Sequence, residues 1–224
     1  MLTMSRRAAV ILAVLLTGCG GEGSGTDAAD INPLYAPDRL AVQAPDSFRV
    51  LFETSKGNVL IRVQRDWAPL GADRFYTLVT NGFYNDIRIY RVIDGFMGQF
   101  GLNGDGLVNS AWMNETLRDD PVAASNTRGR VTFAKGGANS RTTEIFISTR
   151  DNVYLDEDRF APFGEVLEGM EVVDSWNGDY GDGPPRGQGP YAIQAASQGN
   201  SYLDSAFPAL DRILSATVVD GGGE

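Results

Sequence analysis

Histidine is missing from all 224 residues. Its absence excludes Ser-His-Asp and Cys-His catalysis, along with most catalytic zinc and non-haem iron sites, which depend on imidazole ligands. Cysteine occurs once, at Cys19, so no intrachain disulfide or thiolate cluster can form. The mature chain must be held by its apolar core, and roughly 200 residues suffice for one such domain. Basic residues are outnumbered by acidic ones, giving a net charge of −10. With no Lys/Arg cluster to track phosphates, nucleic acid is not an expected partner. The acidic clusters at Asp156-Glu157-Asp158 and Asp179 to Asp182 lack the D-x-[DN]-x-[DN]-G spacing of a calcium loop and read as solvated loops. No metal or cofactor is implied.

Long hydrophobic runs are absent too. The most apolar stretch, Ala8 to Leu16, is too short to span a bilayer. It follows Arg6 and Arg7 and precedes L-T-G-C, Leu16 to Cys19. Basic start, short apolar run and small-residue end have the layout of an export leader. The tetrapeptide resembles the lipobox of bacterial lipoproteins, which implies a leader over 1–18 and acylation of Cys19. More than one acyl chain makes a firm anchor where one alone binds marginally. The expected location is the bacterial cell envelope, facing the periplasm or exterior. Gly20 after the cysteine favours the outer membrane in a diderm host.

Residues 19–47, rich in Gly, Asp, Ala and Pro, read as a flexible tether, with Tyr35 and Leu40 able to dock on a domain spanning 48–220. Alternating or short apolar runs predict strands at Phe48–Ser55, Val59–Val63, Ile87–Ile93, Phe96–Phe100, Arg130–Ala134, Ile145–Ser148, Phe163–Leu167 and Ile213–Val219. Pro69 opens a helix carried by Ala72, Phe75, Leu78 and Val79 and stopped at Gly82. A second short helix is expected over Met170–Trp176. Many strands and two helices indicate a β-barrel or sandwich. The segment 178–210 stands apart through its Gly, Pro, Ala and Ser content.

The stretch with most chemical content is I-Y-R-V-I-D-G-F-M-G-Q-F-G, Ile89 to Gly101. Arg91 sits inside one apolar run and Gln99 inside the next. Unpaired burial of a guanidinium costs several kcal/mol, about 3–5 or more. Arg91 is therefore expected on the face opposite Tyr90 and Val92, beside Phe96, Met97 and Gln99. A shallow apolar groove with one cation and one amide suits an extended peptide.

This segment resembles the signature of the cyclophilins, peptidyl-prolyl cis-trans isomerases, whose pattern is F-H-R-[IV]-I-x-G-F-[MV]-x-Q-G-G. Tyr90 stands where the family usually has histidine, and Phe100 where it has the first glycine of the closing pair. A second block, Gly129 to Thr149, resembles the family's G-x-[LV]-S-M-A-[NR]-x-G-x-[ND]-[ST]-x-x-S-Q-F-F-I. A third, Y-L-D-E-D-R-F-A-P-F-G from Tyr154, resembles W-L-D-x-x-H-V-V-F-G. The resemblance implies a closed eight-stranded antiparallel barrel capped by two helices. It implies Arg91 and Gln99 as catalytic groups, and a proline pocket from Phe96, Met97, Phe146 and Leu155. Phe133, Ala134 and Lys135 would line its floor and rim. Tyr154 takes a tryptophan position and Phe160 a histidine position. Glu144, where the family has glutamine, could pair with Arg91 or Lys135 or face water.

The implied activity is isomerisation of X-Pro bonds in exported polypeptides, by a monomer. It needs neither nucleophile nor proton transfer, so the lack of histidine is harmless. The departures at Tyr90, Glu144, Tyr154 and Phe160 motivate an alternative: an anchored peptide-binding or assembly module with little turnover. A structural envelope lipoprotein is a third reading.

Overall fold

The computed structural model describes residues 32–219. The leader expected over 1–18, Cys19 and the first part of the tether lie outside the described residues. From Asn32 onward the expected tether is packed instead: Leu34 and Ala44 are buried in the core, and Trp112 Nε1 donates to the Leu34 carbonyl at 2.9 Å. Burying Leu34 and satisfying the Trp112 indole N–H offset the entropy of ordering this stretch.

In chain order the elements are β1 (Ser47–Thr54), β2 (Gly57–Gln64), α1 (Pro69–Thr80), β3 (Ile87–Arg88), β4 (Arg91–Ile93), β5 (Met97–Phe100) and α2 (Gly106–Trp112). There follow β6 (Arg130–Phe133), β7 (Ile145–Ser148), β8 (Pro162–Glu168), α3 (Met170–Asp174), α4 (Ala192–Gln198), α5 (Asn200–Ala206) and β9 (Arg212–Val218). The strands form one curled antiparallel sheet, ordered β3-β9-β1-β2-β8-β6-β7-β5-β4. This corrects the expected closed eight-stranded barrel. The described sheet has nine strands and is an open half-barrel. The single strand expected over Ile87–Ile93 is broken at Ile89-Tyr90: β3 pairs with β9, β4 pairs with β5, and the two edges share no ladder. Two helices were expected, and the described residues form five α-helices.

Strict alternation explains the core. Phe48, Val50 and Phe52 of β1 and Val59, Ile61 and Val63 of β2 are fully buried on one face, as period two requires. Helix α1 lays Ala72, Phe75, Leu78 and Val79 on that face. Phe75 packs at 4.9 Å from Phe163, and Phe52 meets Phe100 edge-on at 5.6 Å. Phe100, unusual against the family pattern, is thus core, with Trp176 perpendicular to it at 5.9 Å. Trp176 packs against Gly98, where a Cβ would come within 2.6 Å of its ring.

Segment 178–210 folds into turns over Gly178–Pro190 and then the α4–α5 hairpin. It has its own small core: Ala195, Leu203 and Leu210 pack with Tyr90 and Leu102. Arg88, nearly buried, grips α5 through Asp204, with Nε and Nη2 both donating at 2.6 Å. Replacing Asp204 with Ala leaves that guanidinium partly unpaired. It should lower the midpoint of denaturant unfolding by the equivalent of about 1–3 kcal/mol. An unchanged midpoint would show that Asp86, also on Arg88, suffices.

Candidate active site

Register builds the site. Arg91 of β4 faces Gln99 of β5, and Gln99 faces Phe146 of β7, which faces Thr132 of β6. Directly opposed residues share a face, so these four form one row across the sheet. Met97, two residues from Gln99, lies on the same face. Alternation then sends Phe133 to the other side. Phe133 is fully buried in the core of the half-barrel, 5.1 Å from Phe163, which corrects its expected place in the groove. Ala134, one residue on, returns to the groove wall.

Met97, Phe146 and Leu155 form a buried apolar cluster, with Phe96, Ala134 and Phe160 packed around it. Phe160 stands edge-on to Phe146 at 6.0 Å. Tyr154 is half exposed and lies outside this cluster, stacked 6.4 Å from Phe96 at the rim. Lys135 reaches the rim, but its ammonium is engaged: Nζ bonds Asp119 at 2.9 Å and sits 5.2 Å over the Phe160 ring. The groove has a volume of about 750 Å³.

Arg91 is the only guanidinium of the row. Its Nη1 donates to Gln99 Oε1 at 2.8 Å and lies 4.0 Å from Met97 Sδ. Its Nε and Nη2 donate to Asp182 Oδ1 and Oδ2 at 2.8 and 3.1 Å. Asp182, expected in a solvated loop, is only 17% exposed. Nothing in the sequence near Arg91 announces it, because it comes from the Gly/Pro-rich segment 91 residues away.

Glu144 does not contact Arg91 or Lys135. Its Oε2 accepts from the Tyr90 hydroxyl and from Gln99 Nε2 (2.8 Å), while Gln99 Nε2 also reaches the Tyr90 oxygen at 2.6 Å. Burial and the neighbouring Glu144 carboxylate push the Tyr90 phenol well above its ordinary value, so it stays a neutral donor. Gly101 brings Glu144 close. It adopts a left-handed φ of +114°, and a Cβ there would lie 2.5 Å from the Thr143 carbonyl oxygen. The result is a continuous polar chain behind an apolar pocket: Asp182, Arg91, Gln99, then Tyr90 and Glu144. Because Glu144 does not compete for Arg91, Glu144→Gln should hold kcat/KM within about threefold, the amide oxygen still accepting. A larger rise in a peptide assay would mean that the carboxylate reaches the guanidinium in solution.

The Arg91 guanidinium, by hydrogen bonding, holds the Asp182 carboxyl below its ordinary value; desolvation opposes this, and the Gly183 N–H and Arg186 assist. A depressed folded value means the pair contributes stability above the unfolded pKa of about 3.9, lost as pH falls through the lower folded value. A carboxyl-carbon NMR titration should show Asp182 still ionised where exposed aspartates have half titrated.

Comparison with known proteins agrees with this architecture. The profile of the cyclophilin type peptidyl-prolyl cis-trans isomerase/CLD family matches residues 49–196. Peptidyl-prolyl cis-trans isomerase B of Escherichia coli (strain K12) is 33% identical over 178 residues, covering 76% of this chain and 98% of that protein. Peptidyl-prolyl cis-trans isomerase A of Dickeya dadantii (strain 3937) is 34% identical over 139 residues, covering 60% and 73%. Among solved structures, a Cryptosporidium parvum cyclophilin type isomerase superposes with a TM-score of 0.58 at 16% identity, covering 79% of this chain and 99% of that one. Cyclophilin AquaCyp293 from Hirschia baltica gives 0.57 at 17%, covering 81% and 77%. The last two speak to fold alone. The chain belongs to the cyclophilin-type peptidyl-prolyl cis-trans isomerases, and it is an isomerase.

Proposed function

We propose that the protein isomerises X-Pro bonds of exported polypeptides at a bacterial envelope, with Arg91 as the catalytic donor and Gln99 holding it. The observation that carries this reading is one atom's position: Arg91 Nη1 is fixed by Gln99 and stands 4.0 Å from Met97 Sδ at the edge of the apolar pocket. An X-Pro bond resists rotation because the nitrogen lone pair is shared with the carbonyl, a barrier of about 18–20 kcal/mol. In the twisted transition state that lone pair returns to nitrogen and can accept a hydrogen bond. The pocket of Met97, Phe146, Leu155 and Phe160 holds the ring while the preceding carbonyl swings. A guanidinium N–H aimed at the ring nitrogen then binds the twisted amide better than the planar one, which is what lowers the barrier. Arginine suits this because its charge persists and its donors lie in a rigid plane.

The envelope part of the reading rests on Cys19, the sole cysteine, placed after a basic start and a short apolar run. Acylated there, the chain is a monomer tethered to the membrane, with proline-containing polypeptides as partners. Among the described residues no helix is long and apolar enough to cross a membrane. Cys19→Ser should therefore abolish membrane fractionation. Retention of that variant after a salt wash would overturn lipidation as the anchor.

A further inference from the structure

We infer that Asp182, carried into the groove by segment 178–210, is a positioning residue for Arg91, so that this segment completes the catalytic site. The inference rests on the reading of Arg91 as the amide donor.

A guanidinium has five N–H donors in one plane. In Arg91 the Asp182 carboxylate takes the Nε–H and one Nη2–H, two parallel bonds at 2.8 and 3.1 Å. Gln99 takes one Nη1–H from another side. Three donors in two directions leave the plane no freedom to rotate. What remains is the second Nη1–H, on the nitrogen 4.0 Å from Met97 Sδ, and one Nη2–H. Asp182 therefore engages Nε and Nη2 and leaves an N–H on Nη1, the nitrogen nearest Met97, unspent. An arginine held by Gln99 alone would keep a four-bond stem free to swing, and that disorder would have to be removed in every turnover.

Asp182 is itself fixed. Its Oδ1 accepts from the Gly183 N–H at 2.8 Å, and its carbonyl from the Gly189 N–H at 2.9 Å. Arg186 Nε lies 3.3 Å from Oδ2. The loop is moored by α4 and α5, whose small core includes Tyr90, the residue before Arg91. Pro184, Pro190, Tyr191 and Ile193 of the same segment also line the groove, so the carboxylate arrives with part of the groove wall. The opposite possibility has an opposite sign. If the carboxylate blocked donors the substrate needs, removing it would raise turnover.

The test is a double-mutant cycle on the full chain, using a proline tetrapeptide and an NMR-exchange or coupled assay. Asp182→Ala should lower kcat about tenfold, with KM changed less than about twofold, because it disorders a transition-state donor. Asp182→Asn, which keeps one acceptor for Nε and the Gly183 contact, should recover part of the loss. In an Arg91→Ala background, Asp182→Ala should cost nothing further, since its effect passes through Arg91. If alanine at 182 abolishes the thermal unfolding transition, the asparagine variant carries the same test. Full or raised kcat in Asp182→Ala, or equal losses with and without Arg91, would overturn the inference. Arg91→Ala at wild-type activity would instead sink the reading of Arg91 on which it rests.

Discussion

Arg91→Ala should lower kcat/KM for an X-Pro peptide at least ~100-fold, equivalent to about 2.7 kcal/mol of lost transition-state stabilisation. The loss should fall mainly on kcat. The apolar cluster of Met97, Phe146 and Leu155 survives the substitution, and it supplies most of the binding to the planar ground state. Truncating Arg91 also frees Asp182 and Gln99, both part of the polar chain behind the pocket. Asp182 keeps the Gly183 N–H and Arg186, and Gln99 keeps Tyr90 and Glu144. The fold should therefore stand, with thermal unfolding shifted by only a few degrees, roughly 1 kcal/mol or less. If unfolding collapses along with activity, Arg91 is a structural hub and its kinetic defect carries no mechanistic weight.

Asp120→Ala should produce the largest loss of stability. Asp120 and Arg141 form a buried pair, their side chains 3% and 2% exposed, with Nη1 to Oδ2 at 2.9 Å. Arg141 Nη2 also donates to the Arg118 carbonyl. Asp120 does a second task. Helix α1 has no side-chain cap of its own, and its Leu70 and Gly71 N–H groups donate to the Asp120 carboxylate at 3.1 and 3.0 Å. One carboxylate thus satisfies a helix start, interacts favourably with its dipole and neutralises a buried guanidinium. Removing a single partner of a buried pair costs about 3–5 kcal/mol, and here the guanidinium keeps only the more distant Asp119 carboxylate, 3.8 Å from its Nε. Denaturant unfolding of Asp120→Ala measures it. A loss under about 1 kcal/mol, the range of a surface pair, would mean that water reaches Arg141. The site should feel this too, since Arg141 lies in the loop between Lys135 and Glu144.

The strands were legible wherever one face is buried. Ile145–Ser148 was read to the residue, and the other strand boundaries moved by one or two positions where a turn residue joins the ladder. The split at Ile89-Tyr90 was not legible. Both residues are apolar and suit a strand, and only the second small core, 100 residues downstream, draws Tyr90 away. Helix α2 has a local signal in Asp105, which caps it by accepting from Leu107 N–H at 2.8 Å. Helices α4 and α5 span seven residues each, too short for a helical period to emerge from a sequence rich in Gly, Ala and Ser. In the groove, Arg91, Phe96, Met97 and Gln99 belong to one dense motif and Phe146 to a second, and strand register brings them together. At Phe133 the motif and the strand's alternation disagree, and alternation with Thr132 decides, turning Phe133 into the core. Asp120 and Asp182 are not legible, since they act on residues 21 to 91 positions away and neither is marked by its neighbours.

Arg91→Lys tests the central claim most directly. The substitution keeps the positive charge and much of the stem but removes the planar fork that Asp182 and Gln99 grip. The measurement is the cis-trans exchange rate of a saturating X-Pro peptide by exchange NMR, with peptide affinity taken from the same titration. Bound-state exchange should fall at least about tenfold against wild type while affinity changes less than about threefold, because only the twisted amide needs a directed donor. Exchange at the wild-type rate in the lysine variant would contradict it, showing that charge in the groove is enough and that the orientation of Arg91 is not what turns the bond.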